Sequence, residues 1–287
     1  MNRVLVTGSG GFIGRHTVAH LTRRGYEVHG VHQHSSPAPG TISHRADLLD
    51  AVQIREVTER VRATHLVHFA WYAEHGKFWD SPRNIEWMKA SETLFKEFVA
   101  RGGRRAVFAG TCAEYDWSYS HLQEDKTPSN PRTLYGQCKN ELRQKVEQTG
   151  ISVAWGRIFF ICGPGEDPRR FIPSILSPLL KRQPAIVKHG SHVRDFMHCE
   201  DVAAAFAAIL DSQLKGIVNV ASGEPKSLGE IAKIIAELTG GQSLLEIQDS
   251  PASPDNPPVL TADVAKLRSI GFNPIYCLRD GLATLIP

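Results

Sequence analysis

Nothing in the 287 residues reads as an apolar run of the roughly twenty residues that a membrane-spanning helix takes. The first residues enter a strand-like pattern directly, so no signal peptide is expected. An excess of one charge is also lacking. The 33 Lys and Arg are interspersed with 30 Asp and Glu for a net charge of +3, which offers no face to nucleic acid or to a membrane surface. Paired cysteines are missing too. Cys112, Cys138, Cys162, Cys199 and Cys277 show neither disulfide nor metal-ligand spacing, so free thiols in a cytoplasmic protein are expected. The thirteen histidines look scattered, and no metal site is expected. Repeats and low-complexity tracts are absent; the Pro-, Ser- and Asp-rich stretch from Asp249 to Pro258 reads as a surface loop. What is left is the composition of a soluble globular chain, long enough for one large or two small domains with ample core.

The opening carries the first positive signal. Arg3 to Val6 is a short apolar run that ends in Thr7-Gly8-Ser9-Gly10-Gly11-Phe12-Ile13-Gly14. Val18, Leu21 and a stop at Gly25 then mark a helix. A strand, a glycine-rich turn and a helix form a dinucleotide-binding fingerprint, because glycine lets backbone approach a pyrophosphate at the positive helix terminus. Gly8, Gly10, Gly11, Phe12, Ile13, Gly14 and Arg15 are therefore expected at the cofactor.

The next strand, Glu27 to Val31, lacks what usually follows it. No acid stands at its end to bind a ribose diol; His32, Gln33, His34, Ser35 and Ser36 occupy that place. With no carboxylate to repel a 2′-phosphate, Arg15, His32 and the serines point to NADP(H), with NAD(H) the alternative. Asp47 and Leu48 close the following segment, where the adenine edge would lie.

Strand-like runs at His65–Ala70, Arg105–Gly110 and Ile151–Phe160 alternate with helical patterns at Ala51–Arg62, Arg83–Arg101 and Leu134–Gln148. That alternation predicts an α/β fold with a doubly wound parallel sheet, whose ligands sit at the carboxyl ends of the strands. Phe69, Ala70 and Trp71 fall at one such end and Thr111 at another. Tyr135 and Lys139, four apart on one helix face, complete a chemical set. A phenol of pKa about 10 is a poor base unless a cation favours its anion, and a neighbouring ammonium supplies one. Thr111, Tyr135 and Lys139 are thus the expected catalytic residues for an alcohol–ketone interconversion beside a hydride carrier, and the last two are expected cofactor contacts as well.

These motifs, with Arg194-Asp195-Phe196-Met197-His198, Val218 to Gly223 and Ser227-Leu228-Gly229-Glu230, resemble the extended short-chain dehydrogenase/reductase family across nearly the whole chain. The resemblance implies a Rossmann domain at 1–162 with 195–222 and a smaller substrate-binding subdomain at 163–194 with 223–287. It implies a nucleotide-diphosphate sugar as substrate and a homodimer built on the helices near 83–101 and 134–148. It assigns Tyr135 as acid/base, Lys139 to the Tyr pKa and the nicotinamide ribose, Thr111 to the reacting oxygen and Arg194 to the diphosphate. Asp195 and His198 are expected to order their segment. Arg169 and Arg170 are expected to add a basic rim for the substrate, a solvated helix face being the alternative.

Two departures refine the expectation. Dehydratases of that family place Asp-Glu after the threonine, whereas Cys112-Ala113 stands here, which argues against dehydration. Phe160 stands where an asparagine usually contacts the diphosphate. Glu114 is expected to serve structure or the substrate loop. Trp71, Tyr72, Phe78 and Trp79 are expected either to wall the nicotinamide or sugar or to pack beneath their loop. The preferred activity is reduction of a nucleotide-diphosphate 4-keto-6-deoxyhexose. A 4-epimerase is the alternative, and a non-catalytic dinucleotide sensor is a third reading.

Overall fold

Successive residues of a strand point to opposite faces, so a strand covered on both sides must be apolar throughout. Val4 and Val6 enter one core with Val18, Leu21, Val202 and Phe206. Leu5, between them, enters a second core with Leu66, Phe95, Phe108, Leu142 and Trp155. The apolar run at the start of the chain is therefore a central strand with helices on each side.

The computed structural model describes residues 2–251 and 253–287. The chain begins β1 (Arg3–Thr7), α1 (Gly14–Arg23), β2 (Glu27–His32), β3 (Ile42–Arg45), α2 (Ala51–Val61), β4 (His65–His68), α3 (Arg83–Ala100) and β5 (Arg105–Thr111). It continues through β6 (His121–Leu122), α4 (Leu134–Glu147), β7 (Ser152–Ile158), β8 (Phe160–Cys162), α5 (Phe171–Leu180) and β9 (Ala185–Val187). Then come β10 (Val193–Arg194), β11 (Phe196–His198), α6 (Cys199–Asp211), β12 (Gly216–Val220), β13 (Lys226–Ser227) and α7 (Leu228–Thr239). It closes with β14 (Leu245–Ile247), β15 (Val259–Ala262), α8 (Ala265–Arg268) and α9 (Leu278–Ala283).

Seven strands form one sheet in the order β12-β7-β5-β4-β1-β2-β3. Every pairing in it is parallel. The order reverses between β1 and β4, which is where a doubly wound sheet opens a crevice at its carboxyl edge. Helices α1 and α6 pack together on one face, and α2, α3 and α4 on the other. The expected doubly wound α/β fold is the fold observed.

The run Ile151–Phe160, expected as one strand, is two. The Phe159 amide donates to the Val220 carbonyl and the Phe160 amide to the Asp195 carbonyl, so the chain leaves the main sheet between them. Phe159 is buried with Tyr115 and Leu260, while β8 pairs with β11. Two adjacent phenylalanines with different burial partners hide such a break from a reading by periodicity. Beyond it, Ile172, Ile175, Leu179, Ile231 and Ile235 gather α5 and α7 around a separate core. Ser227 and Glu230 form a capping box that starts α7. Of the expected loop from Asp249 to Pro258, Ala252 lies outside the described residues.

The histidines are less scattered than the sequence reading allows. His16 and His20 stand one turn apart on α1, and both meet Glu200 of α6, at 2.6 and 3.4 Å. They tie the helix after the glycine turn to the opposite half of the sheet.

Candidate active site

The glycine turn is held against the crevice by β4. Thr7 Oγ1 lies 2.8 Å from His68 Nδ1 and accepts from the Ala70 amide at 3.2 Å. Gly8 has φ +65°, and a Cβ on it would come within 3.0 Å of the Ala70 nitrogen, so only glycine fits. Among the described residues no side chain caps the start of α1, and its terminus faces this turn with the positive end of the helix dipole. These residues fit the pyrophosphate of a dinucleotide.

At the end of β2, His32 shares a hydrogen bond with Ser43 Oγ at 2.8 Å, and its buried Nδ1 has no partner among the described residues. Ser35 and Ser36 lie against Gly10. Arg15 is turned the other way: it donates to the Pro164 carbonyl, and its guanidinium sits 5.8 Å from the Phe12 ring centroid. Asp47 accepts from the Leu49 amide at 2.9 Å, and Leu48 is buried in the second core.

Across the switch point, Thr111 ends β5. It caps a short 3₁₀ turn, Cys112–Glu114, by accepting from the Ala113 amide at 3.2 Å. Glu114 reciprocates by accepting from the Thr111 amide at 2.8 Å. The same carboxylate takes the Arg157 guanidinium at 3.0 Å and the Trp155 indole N–H at 2.9 Å, all without solvent exposure. The structural duty expected of Glu114 is thus what it performs, in a Thr-x-x-Glu capping box that sequence reasoning missed.

Tyr135 sits in the first turn of α4, whose free amides are satisfied from an aromatic segment. Trp79 O accepts from the Tyr135 amide at 2.9 Å, and Asp80 accepts from the Leu134 amide at 3.2 Å. Thr133 supplies the cap. Phe78, Trp79 and Trp71 surround the Tyr135 ring edge-on, at 4.9, 5.9 and 6.4 Å between centroids. Burial drives the Tyr135 pKa up and the Glu114 charge adds to it, whereas hydrogen bonding with Thr111 and the charge of Arg170 oppose it. Lys139 Nζ donates to the Ala109 carbonyl at 2.8 Å. Burial pushes its ammonium down to about 7 against the pull of Glu114. Thr111, Tyr135 and Lys139 therefore meet at one strand end, beside the glycine turn. A cation bound next to the phenol would favour its anion.

The arginines are placed differently. Arg170 pairs with Glu166 at 3.0 Å, and the other oxygen of that buried carboxylate has no partner among the described residues. Arg169 pairs with Asp167 at 2.7 Å, half-exposed. Arg194 is buried, with its guanidinium donating to the Pro257 carbonyl at 2.8 Å and lying 5.4 Å from the Phe160 ring centroid. Asp195 accepts from the Ser222 and Gly223 amides, at 2.8 and 3.0 Å, and His198 caps α6. Both order their segment as expected.

That edge assigns the protein to the dinucleotide-binding α/β class, in which the cofactor carries the redox step and the chain positions and exchanges protons. More narrowly, the chain belongs to the NAD dependent epimerase/dehydratase family, whose sequence model matches residues 4–221. It is 27% identical to the dTDP-6-deoxy-L-talose 4-dehydrogenase (NAD(+)) of Aggregatibacter actinomycetemcomitans, over 82% of this chain and 90% of that one. The solved UDP-glucose 4-epimerase of Thermus thermophilus, in complex with NAD, superposes with a TM-score of 0.84 at 26% identity, covering 98% of this chain and 97% of that chain. MoeE5, solved with UDP-glucuronic acid and NAD, superposes with a TM-score of 0.84 at 28% identity, covering 99% and 98%.

Proposed function

We propose that the protein is a reductase of a nucleotide-diphosphate 4-keto-6-deoxyhexose, preferring NADP(H). The observation that carries the reading is the convergence of the Thr111 and Tyr135 hydroxyls with Lys139 beside the glycine turn, with no acid–base pair after Thr111. Cys112 and Ala113 are buried there, and burial pushes the Cys112 thiol up to about 12, so neither residue serves an elimination. The 4-dehydrogenase relative, named for a 6-deoxy sugar on dTDP, supports the sugar class.

A dinucleotide held by the Gly8–Gly14 turn and by Lys139 would supply a hydride for the keto carbon. Tyr135 gives its proton to the oxygen as negative charge develops there, and Thr111 donates a hydrogen bond to the same oxygen. Lys139 lowers the cost of the phenolate left behind, which then recovers a proton from solvent. Arg170 and Arg194 serve the substrate's anionic groups. NADP(H) preference rests on the end of β2, since the relatives' printed cofactor is NAD. A homodimer through α3 and α4, a cytoplasmic setting and the division at 163–194 and 223–287 belong to the same proposal. Among the described residues no helix is long and apolar enough to cross a membrane.

A 4-epimerase is the second reading, favoured by the near-complete overlay on an epimerase that holds NAD. One experiment separates them. The purified protein is mixed with NADPH or NADH and a panel of nucleotide-diphosphate 4-keto-6-deoxy sugars, and the nicotinamide absorbance is followed. Substrate-dependent NADPH consumption that Tyr135→Phe abolishes supports the reductase. No consumption, with NAD retained through purification, moves the assignment to the epimerase.

A further inference from the structure

Lys139 is buried at the centre of the site but forms no ion pair among the described residues. The carboxylate whose charge acts on it, Glu114, is already held by Arg157, Trp155 and the Thr111 amide. From β4, His68 is hydrogen-bonded to Thr7 and Ser91, and burial pushes it down to about 3, so it stays neutral. From α4 itself, the Tyr135 ring lies 6.0 Å away. What Nζ meets besides the Ala109 carbonyl is an indole: the Trp71 ring centroid is 3.8 Å away.

That indole is fixed from the far side. Trp71 Nε1 donates to Asn84 Oδ1 at 2.9 Å. Asn84 is fully buried, and its amide donates to the Phe78 and Ser81 carbonyls, at 2.6 and 2.9 Å. The ring face is thus presented to Nζ by α3 and the turn before it. A ring face carries the negative lobe of the aromatic quadrupole and attracts a cation most strongly where water is excluded.

We propose that Trp71 is a positioning residue for Lys139, its indole face standing in for a counter-ion so that the buried ammonium keeps charge that burial would otherwise remove and stays aimed at the end of β5. Two of the three N–H bonds of Nζ are then committed, to Ala109 and to the ring, and the third is free for a ligand hydroxyl. The consequence for turnover rests on the catalytic reading of Tyr135 and Lys139; the consequence for Lys139 itself does not.

The test follows Lys139 directly. Lysine side chains are labelled with ¹³C at Cε, and the Lys139 resonance is assigned by its loss in Lys139→Arg and titrated by NMR. In Trp71→Leu the midpoint falls by about one pH unit, and in Trp71→Phe by less, since benzene has the weaker quadrupole. The alkaline limb of the pH–rate profile, where Lys139 loses its proton, moves to lower pH in the same order. A midpoint unchanged in folded Trp71→Leu, or in Trp71→Phe where the leucine variant does not fold, overturns the proposal and leaves Trp71 a packing residue. A midpoint that falls in a protein reducing no nucleotide sugar refutes the functional reading alone.

Discussion

Glu114 and Arg157 face each other across the end of β5 and β7, Oε2 to Nε at 3.0 Å, with neither side chain exposed to solvent. The pair stands directly behind Thr111, because the same carboxylate binds the Thr111 amide. Desolvating two charges costs several kcal/mol, which their attraction and the surrounding hydrogen bonds offset. Breaking one side of the pair leaves the other charge stranded. Glu114→Gln, nearly isosteric, is therefore expected to lower the unfolding free energy by about 3–5 kcal/mol. Denaturant midpoints check this. A loss below about 1 kcal/mol would mean that water reaches Arg157 and that the pair does not organise the strand end.

Tyr135→Phe removes one oxygen from a ring already packed by Trp71, Phe78 and Trp79. The packing is retained, so thermal stability should hold while kcat falls by roughly 10²–10⁴-fold, the range of a lost general acid. Dinucleotide affinity, measured by quenching of the tryptophans, should fall far less than kcat, since Lys139 and the glycine turn are retained. Equal activity in both proteins would remove Tyr135 from the chemistry.

Much of this arrangement is legible in sequence, and the parts that are not share a cause. β1 and its glycine turn are local: apolar run, punctuation and helix follow one another within two dozen residues or so, and short-range sterics fix them. The meeting of Thr111, Tyr135 and Lys139 is legible because a parallel sheet gathers strand ends on one edge. Partnerships between distant side chains are not legible. Nothing local joins Glu114 to Arg157 or Trp71 to Lys139. The pair His16 and His20 is local, but only the distant Glu200 makes it a joint. Arg194, expected at the substrate diphosphate, is buried against Pro257, Asn256 and Phe160, because the loop before β15 folds over it.

The titration of Lys139 gives a stability prediction whose sign is fixed. Its folded pKa is about 7, whereas the unfolded lysine keeps the ordinary value of 10.5. Between those values the unfolded chain binds the extra proton, so stability rises with pH across that window, by at most about 1.4 kcal/mol per unit. Tyr135 and the buried Cys112 act oppositely at the alkaline end, since burial raises their pKa values. The comparison with Lys139→Met isolates the lysine: wild type should gain stability relative to the variant as pH rises from about 7 to 10. Parallel curves for the two proteins would mean that Lys139 titrates normally.

On the proposed NADP(H) reading the end of β2 selects the cofactor, and one substitution examines it. His32 is held by Ser43, has an unpartnered Nδ1, and is followed by Ser35 and Ser36, which lie against Gly10. No carboxylate occupies the position from which an acid repels a 2′-phosphate and binds a ribose diol. His32→Asp restores that acid. The KM for NADPH should then rise by at least about tenfold, one unit of log affinity for roughly 1.4 kcal/mol of repulsion, while that for NADH falls or holds. Steady-state kinetics with both cofactors read the two effects separately. If the wild-type protein already prefers NADH and the substitution leaves the ratio unchanged, the ribose is recognised elsewhere, and the open histidine and serines are only a solvated turn.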